Sequence, residues 1–158
     1  MKRLHGEATA TVGATSEECL SALAAVDSYP VWCPDVVREA QVIATGEDGL
    51  PTRARVKLHV SRGPLEKDFE LLMEVSVESP SRVTLERIPH GATDEETFEV
   101  AWAIEERGRN RHVRLSVDAC LAVPRFLPLG SIGDELAEGL VSAVARLLRP
   151  EPVVFPEP

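Results

Sequence analysis

The 158-residue chain has only three cysteines, Cys19, Cys33 and Cys120, and no two are close in sequence. An odd, scattered set excludes a disulfide framework and a cysteine metal site, so the three read as reduced thiols. No apolar run approaches the roughly 20 residues that span a bilayer, which excludes integral membrane association. The first seven residues, Met-Lys-Arg-Leu-His-Gly-Glu, contain no apolar signal region. A cytoplasmic location is therefore the expectation. Lysine and arginine number 17 against 26 acids, and they form no cluster. A net charge of −9 repels nucleic-acid phosphates and anionic headgroups, so nucleic acid is set aside as a partner.

What remains is 44% hydrophobic and 27% charged residues, an ordinary globular composition. The length suits one domain with a real core, expected over residues 1–149. Residues 150–158 hold four of the twelve prolines and read as an extended, mobile tail.

Along residues 4–12, Leu4, Gly6, Ala8, Ala10 and Val12 alternate with His5, Glu7, Thr9 and Thr11. Period two means a half-buried strand. Thr15 with Glu18 three residues on is a capping box, so a helix starts there, with Cys19, Leu20, Leu23, Ala24 and Val26 apolar. Asp27-Ser28-Tyr29-Pro30 ends it. Pro30 and Pro34 leave room for one helical turn, which carries Trp32. Six strand patterns follow, over residues 36–45, 52–61, 65–77, 82–88, 97–105 and 112–123. Turns separate them at Gly46–Gly49, Gly63-Pro64, Pro80-Ser81 and residues 108–110, with a polar loop from Pro89 through Asp94. Short turns imply an antiparallel meander, because parallel strands need long crossovers. After the segment 124–130, Ile132, Leu136, Leu140, Ala143 and Leu147 recur at helical steps. Asp134, Glu135 and Glu138 come early in that helix and Arg146 and Arg149 late, which suits the helix dipole.

The fold class is therefore α+β. A curved seven-stranded antiparallel sheet wraps a long C-terminal helix, with two short helices after the first strand. One helix cannot fill the whole concave face, and an apolar concavity is the default site for a small molecule. The element order, the terminal helix and the segment Asp27-Ser28-Tyr29-Pro30-Val31-Trp32-Cys33-Pro34-Asp35-Val36-Val37 resemble the START-like, or polyketide cyclase/dehydrase-like, superfamily over roughly residues 4–149. The resemblance implies a helix-grip fold with an apolar pocket for a lipid, quinone, hormone or polyketide, and in some members catalysis of ring closure. The chain departs from the aromatase/cyclase pattern, which places many Trp and Arg on the pocket strands. Here the strands carry one tryptophan, Trp102. The quinone-chaperone branch shares the Tyr-Pro segment.

Catalysis needs an acid or base within reach of substrate. The faces expected to point inward offer almost none: His5, His59, His112, Asp68, Glu70, Glu74 and Asp118 fall on the polar parity and are expected in solvent. Arg87 shares parity with Val83 and Leu85. It either snorkels to water from the strand end or fixes a carboxylate or carbonyl on the ligand. Trp32, Phe69, Leu71, Met73, Trp102 and Leu136 are the expected cavity walls. For Trp32, Phe69, Met73 and Trp102, plain core packing is the competing reading. Cys33, beside Trp32, is either a reactive nucleophile or a buried thiol. His90 reads as a surface turn histidine, and neither a metal nor a cofactor is expected. Strand 112–123 is apolar on both faces near Cys120 and Ala122. That marks either a homodimer patch or a bed for the tail. The leading function is binding of a hydrophobic or amphipathic molecule. A cyclase-like enzyme and an interaction domain with a closed core stand beside it.

Overall fold

The computed structural model describes residues 1–62, 65–78, 80–123 and 132–148. The turn read at Gly63-Pro64, the segment 124–130, Arg149 and the tail lie outside the described residues. Alternation of apolar and polar side chains produces seven strands: β1 (Lys2–Val12), β2 (Val37–Thr45), β3 (Pro51–Arg62), β4 (Leu65–Glu78), β5 (Arg82–Arg87), β6 (Thr97–Arg107) and β7 (Asn110–Leu121). All pair antiparallel in the order β1-β7-β6-β5-β4-β3-β2, so only β1 leaves chain order to join β7. The last strand ends at Leu121, two residues before the sequence pattern stops. The hairpin glycines Gly49 and Gly108 have φ of +80° and +63°, conformations that most side chains avoid.

Helix α1 (Ser16–Ala24) begins as its sequence dictates. Thr15 accepts from the Glu18 amide, and the Glu18 carboxylate accepts in return from Thr15. A 3-10 turn (Val26–Ser28) and a single turn α2 (Tyr29–Trp32) follow, with Pro30 in the first turn, where its missing N–H costs nothing. Helix α3 (Ile132–Leu147) buries Ile132, Leu136, Ala137, Leu140, Val141, Ala143 and Val144 against the concave face.

Where α3 lies decides where space is left. A Cβ on Gly6 would sit 2.0 Å from the Gly133 carbonyl oxygen, and one on Gly133 would sit 2.2 Å from the His5 carbonyl oxygen. Two facing glycines thus let the start of α3 rest on the backbone of β1. The Glu7 amide donates to Asp134 at the same point, 3.4 Å away. The close backbone contacts of α3 are with β1 and β7. Its other flank faces β3 and β4 across side chains, and the candidate site follows that seam.

Candidate functional site

Among the described residues, three hollows line the seam between α3 and the sheet. The outermost is a cleft of about 160 Å³ bounded by Asp35, Val36, His59, Ser61, Ile132 and Glu135. A middle void of about 10 Å³ lies below it, among Leu4, Leu58, Phe69, Phe98, Leu121 and Leu136. The innermost void, about 30 Å³, is walled by Tyr29, Val56, Leu71, Met73, Phe98 and Leu140 among others. The cleft and the middle void share Val60, Ile132 and Leu136. The middle and inner voids share Leu58 and Phe98. Only one or two waters would fit the inner space, and its wall offers them almost no partners, so it is dry.

Among the described residues, the single ionisable group on the inner wall is Tyr29. Its hydroxyl donates to the Leu23 carbonyl. Burial pushes its pKa well up, so it stays a phenol at any physiological pH. The Tyr29 ring packs on Trp32, centroids 4.9 Å apart and tilted by 55°. The Trp102 indole N–H bears on the Tyr29 oxygen without reaching hydrogen-bond geometry. Among the described residues neither buried indole nitrogen has a hydrogen-bond partner.

Of the residues singled out in the sequence, Leu71 and Met73 line the inner void, Phe69 the middle void, and Leu136 both the middle void and the cleft. Trp102, fully buried, lines none of the three hollows. It fills the core where α1 crosses β6. Trp32 packs on Tyr29 one layer out. Cys33 is buried with its thiol toward the Gly139 carbonyl, 3.8 Å away. Burial raises its pKa, which disfavours the reactive thiolate.

Arg87 does not snorkel to water: its side chain is 6% exposed. Its guanidinium donates to Asp94 at 2.7 Å and to the Glu96 carbonyl at 2.8 Å. Asp94 also accepts from the His90 and Glu96 amides, which folds the β5–β6 loop onto the strand end. The Arg87 hydrogen bond, followed by the His90 amide, holds the Asp94 carboxyl well below the usual carboxylate range. The guanidinium thus pins a loop, and two of its nitrogens are already committed. The expectation of a solvated His59 is also corrected: its side chain is 13% exposed. His59 sits beyond the end of the edge strand β2, bonded to Asp68 at 2.7 Å, at the rim of the cleft. His5, by contrast, is half exposed as expected and pairs with Asp118 at 2.7 Å. Cys120 is half-buried and Ala122 exposed at the end of β7.

Sequence reasoning missed Tyr29 and Leu140 as walls. Tyr29 was visible only as part of the Tyr-Pro segment, whereas Leu140 carried its signal in the helical periodicity. Among the described residues no group of three His, Cys, Asp or Glu could hold a metal ion. No helix among them is long and apolar enough to cross a membrane.

No protein-family model matches the sequence. No curated protein matches it either. Solved structures do. A START superfamily protein from Mycobacterium smegmatis superposes with a TM-score of 0.70 at 18% identity, over 91% of this chain and 96% of that one. This is a START-like, helix-grip fold. Ginseng major latex-like protein 151 from Panax ginseng shares the START-like fold with a TM-score of 0.63 at 12% identity, over 93% and 99% of the two chains. The di-domain ARO/CYC BexL from the BE-7585A biosynthetic pathway gives 0.69 at 7% identity, over 95% of this chain and 51% of that one.

Proposed function

We propose that this START-like domain binds a small amphipathic molecule. The apolar part enters between α3 and strands β3 and β4, and the polar part stays in the outer cleft. The observation that carries this reading is the placing of the three hollows in series, neighbours sharing lining side chains from the cleft to Tyr29. Burial of the ligand's apolar surface supplies affinity at roughly 25 cal/mol per Å², before ordering costs. Ligand sites usually span roughly 300–1,000 Å³. The inner voids are far smaller, so Met73, Leu136 and Leu140 must change rotamer to admit a chain. Unbranched Met73 is suited to that.

The small inner volume favours a second reading, an interaction domain whose core has closed. A cyclase would have to work by folding its substrate into shape, because Tyr29 on the inner wall is spoken for by Leu23. Titration with the neutral probe N-phenyl-1-naphthylamine separates the readings. Saturable one-to-one binding, weakened at least tenfold by Leu140→Trp with the fold intact, supports ligand binding. Absence of saturable binding supports the closed core.

A further inference from the structure

We propose that the outer, convex face of the sheet carries a second binding site, for a small oxyanion of the phosphate or carboxylate kind. This site is independent of the interior seam. A hollow of about 250 Å³ lies there, bounded by Glu7, Arg82, Ala101, Ala103, Arg114 and Ser116, together with Trp102. That is room for about eight waters at roughly 30 Å³ each. Convex sheet faces are normally covered by long polar side chains. Here the outward positions of β6 read Glu99, Ala101, Ala103, Glu105, so two alanines interrupt a run of glutamates. Trp102 between them points its side chain to the core, fully buried, and contributes main chain to the floor.

Register fixes what surrounds this floor. Arg82 on β5 lies opposite Ala103, and Ala103 lies opposite Arg114 on β7. Ala101 lies opposite Ser116, and Ser116 opposite Glu7 on β1. The two arginines therefore stand two strands apart, roughly 10 Å, on either side of one alanine. Both guanidinium groups can reach an anion seated above Ala103. Arginine suits this role, since its planar fork of donors matches the oxygens of a carboxylate or phosphate.

The charges on the rim favour an anion. Arg114 already donates to Glu7 at 2.9 Å, which neutralises that carboxylate. Arg82 makes no ion pair among the described residues, and Ser116 has no side-chain hydrogen bond there. Glu105, two residues from Ala103 along β6, is held by Arg107 at 3.3 Å. Arg82 is thus the unmatched charge among the residues that bound the hollow, with Glu78 opposite it on β4 and Glu99 beside Ala101 on the same face.

The test is amide NMR of the full chain during titration with inorganic phosphate, against chloride at equal ionic strength. Saturable shifts confined to Ala101, Ala103, Ser116 and their neighbours are expected. Arg82→Gln should weaken binding roughly tenfold or more, and Ala103→Leu should abolish it by filling the floor. Both positions face outward, so circular dichroism should be unchanged. Shifts no larger than those from chloride, or insensitive to both substitutions, would overturn the proposal. So would binding to phosphatidate vesicles without any response to free phosphate, which would make the face a membrane contact instead.

Discussion

Replacing Gly6 by alanine should loosen the grip of α3 on the sheet. Gly6 has no positive φ, so its backbone conformation suits alanine and only the contact forbids it. The added Cβ would sit 2.0 Å from the Gly133 oxygen and 2.6 Å from the Asp134 nitrogen. These are main-chain atoms, which no rotamer change can move. Restoring a separation near 3 Å requires β1 and the start of α3 to part by about 1 Å, against the Glu7–Asp134 hydrogen bond and the packing of Ile132. Overpacking typically costs 1–3 kcal/mol, and a contact between two backbones belongs at the upper end, about 3 kcal/mol. For a chain of this size each kcal/mol lowers Tm by roughly 2–4 °C, so the expected fall is about 6–12 °C by calorimetry. Gly133→Ala, whose Cβ meets the His5 oxygen, should act alike. Because the first substitution already opens the interface, the double variant should lose less than the sum. A Gly6→Ala protein melting within 2 °C of the parent would refute the close-packed α3–β1 contact.

Thr15→Ala removes an N-cap and should cost about 1 kcal/mol, read as a Tm lower by roughly 2–4 °C. Asp94→Asn should destabilise at neutral pH by leaving Arg87 without its partner. The Asp94 pKa is depressed in the fold, so its contribution is present above its unfolded value near 4 and lost as pH falls below it. The gap between parent and variant melting curves should therefore close on acidification below about pH 4; a gap constant with pH would contradict the ion pair. In native protein at neutral pH, a thiol reagent should label Cys120 first, with Cys19 and Cys33 reacting only on unfolding. Fast labelling of Cys33 would contradict its burial.

Much of the fold was legible because its signals are local. The Thr15–Glu18 box, the strand alternation and the α3 periodicity each act within a few residues, and each element formed close to the expected bounds. The role of Gly6 and Gly133 was not legible, because it depends on two segments 127 residues apart meeting face to face. Arg87 was placed on the correct parity, yet its partner Asp94 lies in a loop whose path no periodicity predicts. His59 was misjudged for a related reason: parity assigns a face, but shows neither the Asp68 partner on β4 nor the segment at Asp35 and Val36 that lies beside it. Leu71, Met73 and Leu136 reach the seam hollows by parity and helical step, whereas Trp102 lines none of the seam hollows because α1 covers that end of the sheet.

The proposed function rests on the seam between α3 and β3–β4 admitting a ligand. The most direct measurement is native mass spectrometry of freshly purified protein, followed by organic extraction of whatever is released. The expected result is a stoichiometric amphipathic molecule that is lost from Leu140→Trp protein of unchanged fold. Protein that is empty, and that also fails to take up added lipid or quinone at a one-to-one ratio, would contradict it and establish a closed core.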